Sequence, residues 1–221
     1  MSEMSSPMDL LDLVDWRRRV GDLYRISGPD ATAEFRSARD ELLRTHPQSP
    51  IQEGERASFS GIRYFAADPA YRVACRLEPS DSDEDIVIET GGPDGDIRYR
   101  RAGALAFRLG DADCRLTVFS LIGYGGGLFL PFRDATSGRQ TYGGGRYLMD
   151  TIKGSDRLCL ESRPGSDEVT IDFNYAYNPS CAYDPHWACP LAPRENWLPV
   201  GVEAGEMTYE SSEAAEPGPS E

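Results

Sequence analysis

Ser58-Phe59-Ser60-Gly61-Ile62-Arg63-Tyr64-Phe65, an Asp68-Pro69 turn, and then Tyr71-Arg72-Val73-Ala74-Cys75-Arg76-Leu77 alternate apolar with polar residues. A period of two is what a strand with one buried face requires. Similar runs follow at 86–90, 97–101, 105–109, 115–121, 128–132, 157–161 and 169–173. Between them stand turn-forming clusters, Gly91-Gly92-Pro93-Asp94-Gly95, Gly110-Asp111, Thr136-Ser137-Gly138 and Pro164-Gly165-Ser166-Asp167, with no helical pattern. Short strands at near-regular spacing predict a mainly β fold: an antiparallel curved sheet, barrel or sandwich.

Upstream of Pro50 the period is helical. Leu10, Val14, Val20, Leu23 and Tyr24, with Trp16, recur at helical spacing, and Phe35, Ala38 and Leu42 do so in a second run over 31–44. Ser27-Gly28-Pro29-Asp30 separates the two, and Pro47 stops the second. These features predict an N-terminal helical hairpin (10–46) leading into a β-domain (54–202), one domain over 10–202 in a chain of 221 residues. Residues 1–9 read as a flexible N-terminus, and the acidic, apolar-poor stretch 203–221 reads as a disordered tail.

The chain carries 37 Asp and Glu against 23 Lys and Arg, a formal net charge of −14. Such a field repels polyanions and argues against nucleic acid as a partner. Lys153 is the only lysine; arginine supplies the other basic residues. A dense carboxylate surface is tolerated best where the Debye length shrinks to roughly 3 Å, as in molar salt, so a salt-loving, halophilic host is expected, the alternative being an ordinary acidic protein from a high-GC genome in which Arg displaces Lys for codon reasons. The acidic N-terminus has no basic region before an apolar run, and no stretch reaches membrane-spanning length. Cys75, Cys114 and Cys159 are scattered singly, which suits reduced thiols better than a disulfide framework. Together these features predict a cytoplasmic protein with no membrane association.

Two stretches are unusual. Over 129–148, Arg133, Asp134, Thr136, Tyr142 and Arg146 surround the triple glycine Gly143-Gly144-Gly145. Glycines permit a very close approach of backbone or ligand, but the Gly-Lys-Ser/Thr ending of a phosphate-binding loop is missing. A bulge or tight bend is the expected role. Over 172–199, Pro, Tyr, Trp and Asn are so frequent that the segment reads as a long ordered Pro/aromatic-rich loop, held by its own packing. It contains Asp172, Asn174, Tyr177, Cys181, Asp184, His186 and Cys189. Cys181, His186 and Cys189, with Asp184 or Asp172 as a fourth group, have the chemistry of zinc ligands, although the spacing matches no standard finger. The alternative is two small buried thiols in a packed loop.

With Phe-Arg133-Asp134-x-Thr136-x-Gly138, Thr141-Tyr142-x-x-Gly145-Arg146-Tyr147-Leu148, Asp172-Phe-Asn174-x-Ala-Tyr177-Asn178-Pro179 and the Cys181-Ala-Tyr to Cys189-Pro-Leu elements, the chain resembles the domain-of-unknown-function family 1684. The likeness runs over roughly 16–206 and implies bacterial and archaeal relatives, without an activity. It also implies cysteine at the positions of Cys181 and Cys189, but no general histidine at that of His186.

Only His46 and His186 are present, and no Gly-x-Ser-x-Gly elbow occurs. The leading expectation is a module that binds a small polar or anionic ligand at a barrel or sheet mouth lined by Arg133, Asp134, Thr136, Tyr142, Arg146, Asp172, Asn174 and Tyr177. It needs no cofactor. A hydrolase or isomerase using Asp172 or Asp134, with or without metal at Cys181, His186 and Cys189, is the first alternative. An interaction module using the Pro-rich segment 189–199 is the second.

Overall fold

The computed structural model describes residues 7–80, 82, 84–90, 95–123, 125–155, 160–162 and 165–210. Two helices, α1 (Pro7–Leu23) and α2 (Ala31–Thr45), and the single turn α3 (Glu53–Arg56) precede the strands. These are β1 (Arg72–Pro79), β2 (Asp85–Ile88), β3 (Ile97–Leu109), β4 (Ala112–Leu121), β5 (Leu128–Phe132), β6 (Arg146–Asp150), β7 (Leu160–Ser162) and β8 (Glu168–Asp172). They form one antiparallel sheet in the order β6-β5-β4-β3-β1-β8-β7, with β2 also paired to β3. After β8 the chain turns back to the opposite edge. Tyr177 exchanges two backbone hydrogen bonds with Tyr147 of β6, at 2.8 and 3.0 Å, so the curved sheet is nearly closed into a barrel.

Strand alternation divides the core. Leu130, Phe132 and Leu148 face an inner cluster with Leu105, Leu116 and Ile171. Their neighbours Phe129 and Tyr147 face the other way, into an aromatic layer with Tyr99 and Phe119 that the helix pair covers through Tyr24, Phe35 and Leu42. In α2, Glu34 in the first turn and Arg44 in the last suit the helix dipole. The β3–β4 hairpin turns on Gly110 (φ +56°) and Asp111, as the sequence predicts.

Several expectations need correction. The runs 97–101 and 105–109 belong to one strand, bent by a bulge between Arg101 and Gly103. A Cβ at Gly103 would lie 2.8 Å from the Glu78 carbonyl oxygen, so glycine lets the strands stay close there. The run 58–65 is not a strand. The Asp40 carboxylate of α2 accepts the Ile62 N–H at 3.0 Å, and Phe59 and Ile62 pack with Leu43, Ile51 and Tyr183. Its alternation records side-chain packing, not a ladder. Of the run 157–161, residues 157–159 lie outside the described residues, and β7 begins at Leu160.

The helical hairpin starts at Pro7, inside the stretch expected to be flexible. The periodic residues Leu10 and Val14 are 56% and 65% exposed; Val20, Leu23 and Tyr24 carry the buried contact of α1. The expected tail is ordered over its first part: Ala204 and Glu206 are buried and their segment is bonded into the core. Residues 211–221 lie outside the described residues. Among the described residues, no helix is long and apolar enough to cross a membrane.

Candidate functional site

The segment 201–206 explains what most of the polar candidates do. It crosses the sheet beside β6, and its carbonyls need donors once buried. Arg146, fully buried, supplies them: its guanidinium donates to the carbonyl oxygens of Val202 at 2.8 Å, Glu206 at 3.1 Å, and Ala204. Its charge is met by Asp134, whose Oδ2 lies 3.0 Å away. The other oxygen of Asp134 accepts from the Thr136 hydroxyl (2.6 Å), the Thr136 N–H (2.8 Å) and the Val202 N–H (3.1 Å). Arg146, Asp134 and Thr136 therefore form an internal clamp. They do not line a mouth.

The remaining mouth candidates are also committed internally. Asp172 accepts from the N–H and the side-chain amide of Asn174, and Asn174 exchanges two hydrogen bonds with the Asp68 backbone, all at 2.9 Å. Together they fasten the loop before β1 to the end of β8. Arg133 is half-buried with its guanidinium 4.4 Å above the Trp197 ring. Asp134 and Asp172 are both buried, with their carboxylates hydrogen-bonded inside the chain.

The triple glycine makes a close approach, as its composition predicts, but to backbone and side chains of the chain itself. Gly145 has φ +92°, and a Cβ there would sit 2.4 Å from the Phe132 carbonyl oxygen. A Cβ on Gly144 would meet Leu191 at 3.1 Å. The two unusual stretches thus pack on each other, with the Tyr147 hydroxyl donating to the Pro190 carbonyl at 2.6 Å.

A second buried network starts at Glu206. Its carboxylate takes the Arg39 guanidinium of α2, the Tyr183 hydroxyl at 2.7 Å and the Asn178 N–H at 2.7 Å. Beside it lies a cavity of about 50 Å³ between the helix pair and the C-terminal loop. Its polar lining includes Arg39, Lys153, Ser155, Tyr177, Asn178 and Ser180. Ser155 and Tyr177 hold each other hydroxyl to hydroxyl at 2.5 Å. The Asn178 amide nitrogen donates to Met207, whereas its Oδ1 is buried without a hydrogen-bond partner among the described residues. Lys153 makes no ion pair among the described residues. Of the sequence candidates only Tyr177 reaches this cavity. Arg39, Lys153, Ser155 and Asn178 were not singled out by sequence; the lone lysine of an arginine-rich chain was the available signal.

Next to the cavity stand two thiols. The Cys189 sulfur accepts the Cys181 N–H at 3.4 Å, and the Tyr142 hydroxyl donates to the Cys181 sulfur at 3.7 Å. A hydrogen bond from the Cys181 thiol, the backbone N–H groups of Ser180 and Cys181, and the charge of Lys153 hold the Cys189 thiol down to about 6, against its burial. Sharing that proton raises the Cys181 thiol. Burial instead pushes Cys75 up to about 12 and raises Cys114. His186 does not join the pair: its ring is 96% exposed and faces Asp184. No group of three His, Cys, Asp or Glu side chains is placed to hold a metal among the described residues. The Cys181, His186 and Cys189 set expected for zinc is therefore not assembled.

Residues 57–207 match the family described as protein of unknown function, DUF1684. The chain belongs to this family. Among solved structures, the chain is similar to an uncharacterized protein of Haloarcula marismortui, determined by solution NMR. The two share 40% identity and a TM-score of 0.58 over 78% of this chain and 90% of that one. No curated protein matches. The DUF1684 match takes in both thiols, Lys153, Asn178 and Glu206, whereas Arg39 precedes it on α2.

Proposed function

We propose that this DUF1684 domain binds a small oxyanion in the cavity between the helix pair and the C-terminal loop. The carrying observation is the lining: it includes Lys153, without an ion-pair partner among the described residues, and Asn178, whose buried Oδ1 has no hydrogen-bond partner among them. Arg39 is already neutralised by Glu206, so Lys153 is the lining cation left without an ion pair among the described residues, within a strongly acidic protein. A buried acceptor left unpaired costs about 1–3 kcal/mol, which a ligand bearing a hydroxyl would recover. Charge and orphan acceptor together favour an oxyanion that retains a proton, such as bicarbonate. By the space one water needs, about 10–15 Å³, the cavity suits an occupant of about three or four heavy atoms.

The test is a titration of isotope-labelled protein with bicarbonate and with nitrate at constant ionic strength, followed through the amide resonances of Ser155 and Asn178. Saturable shifts with bicarbonate, weaker ones with nitrate, and their loss in Lys153→Met are expected. Shifts that are absent, or that persist unchanged in Lys153→Met, would overturn the reading.

A further inference from the structure

Four of the five cysteines are described, and their surroundings separate them. Cys75 and Cys114 are buried in the inner cluster among Leu105, Phe107 and Leu116, where a thiol acts as a small hydrophobe. The backbone N–H of Cys181, in the single-turn 3₁₀ helix Ser180–Ala182, donates to the Cys189 sulfur at 3.4 Å. Cys189 is buried, with its sulfur held by backbone N–H groups; Cys181 is only half-buried. The loop between them, Ala182-Tyr183-Asp184-Pro185-His186-Trp187-Ala188, is anchored at Tyr183 by Glu206 and carries His186 and Trp187 at the surface. Cys181 is therefore the more exposed of the two, and the Cys189 sulfur is fixed beside it by the Cys181 N–H.

We propose that Cys181 and Cys189 form a redox-active dithiol that reduces small-molecule disulfides, Cys181 being the attacking and Cys189 the resolving sulfur. In the first step Cys181 gives its proton to the neighbouring Cys189 thiolate. The Cys181 thiolate then attacks one sulfur of a disulfide RSSR; a Cys181–SR bond forms, the S–S bond breaks, and RS⁻ leaves and takes up a proton from Cys189. Restored as a thiolate under the Ser180 and Cys181 N–H groups, Cys189 attacks the Cys181 sulfur. The Cys181–Cys189 disulfide forms and the second RS⁻ departs, taking a proton from water. Two thiols are oxidised and one disulfide is reduced to two thiols, so no further oxidant is required.

Lys153 and Tyr142 fit the same scheme. The ammonium acts on the resting Cys189 thiolate, and the Tyr142 hydroxyl, donating to Cys181, would steady the attacking thiolate. The side chains of Cys75 and Cys114 have no comparable donor set and stay outside the exchange.

The test uses the full chain, reduced and then incubated folded with oxidised glutathione, followed by intact mass and by peptide mapping under acid quench. Wild type is expected to lose two hydrogens and to yield a single 181–189 link, reversed by reduced glutathione. Cys189→Ser is expected to stop with one glutathione on Cys181, and Cys181→Ser to react at least tenfold more slowly. Should the wild-type pair remain a dithiol while circular dichroism shows the native fold, the proposal is wrong. A wild-type Cys181–glutathione adduct that never resolves, or a link formed instead to Cys159, would equally defeat it. The wild-type mapping decides the matter even where a serine variant does not fold.

Discussion

Replacing Arg146 by methionine removes the clamp at its centre while keeping a flexible side chain of similar length. Three costs follow. The Asp134 carboxylate, buried with Arg146, loses its countercharge; removing one partner of a buried pair costs about 3–5 kcal/mol. The carbonyl oxygens of Val202, Ala204 and Glu206 lose their donor, each worth about 1 kcal/mol. Against these stand the three donors that Asp134 keeps from Thr136 and Val202, and the lower desolvation cost of a neutral side chain. A net loss of about 4 kcal/mol is expected, a large part of the roughly 5–15 kcal/mol typical of a domain. Urea unfolding followed by tryptophan fluorescence measures it, with an unchanged slope showing that the transition remains two-state. Asp134→Asn combined with Arg146→Met should lose less than the two single changes together, by about 2 kcal/mol, because the second change removes the stranded charge. A single-variant loss below about 1 kcal/mol, or strict additivity, would falsify the clamp.

Two further outcomes bear on electrostatics. With a net charge of −14, the melting temperature should rise from dilute buffer into molar KCl as screening relaxes carboxylate repulsion; a higher value in dilute buffer would count against a salt-adapted surface. Burial raises the Asp150 carboxyl above its ordinary value despite Lys153 and two backbone N–H groups, so folding favours the protonated form. Its contribution is present below the unfolded value of about 3.8 and is lost as pH rises through the raised folded value. Asp150→Asn should therefore gain stability relative to wild type between about pH 4 and pH 7 in paired denaturation curves, and a relative loss over that window would contradict the sign.

The β-domain and the helical hairpin were legible because both rest on side-chain periodicity. Where periodicity failed, a backbone partner had intervened. The 58–65 run alternates because Phe59 and Ile62 face Leu43 and Ile51, while Asp40 takes a backbone donor that a strand would have spent on its neighbour. The tail was misread because its apolar content is low. A few buried positions, Val202, Ala204 and Glu206, are enough once Arg146, Asp134 and Arg39 supply their partners. Those partners lie roughly 55 to 170 residues away, beyond any local window.

The same blindness displaced the candidate site. Arg133, Asp134, Arg146 and Asp172 have the chemistry of a ligand mouth, but sequence does not show the backbone carbonyls and amides that compete for them. Once 201–206 crosses the sheet, the internal demand for donors takes Arg146, and the charge of Arg146 in turn takes Asp134. What is left for an external partner is what the internal network does not use: an ammonium without an ion pair and an amide oxygen without a donor among the described residues, and a half-buried cysteine. Cys75 and Cys181 are equivalent as letters. Both thiols are raised, Cys75 by burial and Cys181 by sharing its proton with a second sulfur; what separates them is that Cys75 lies in the inner cluster, whereas Cys181 is only half-buried beside Cys189.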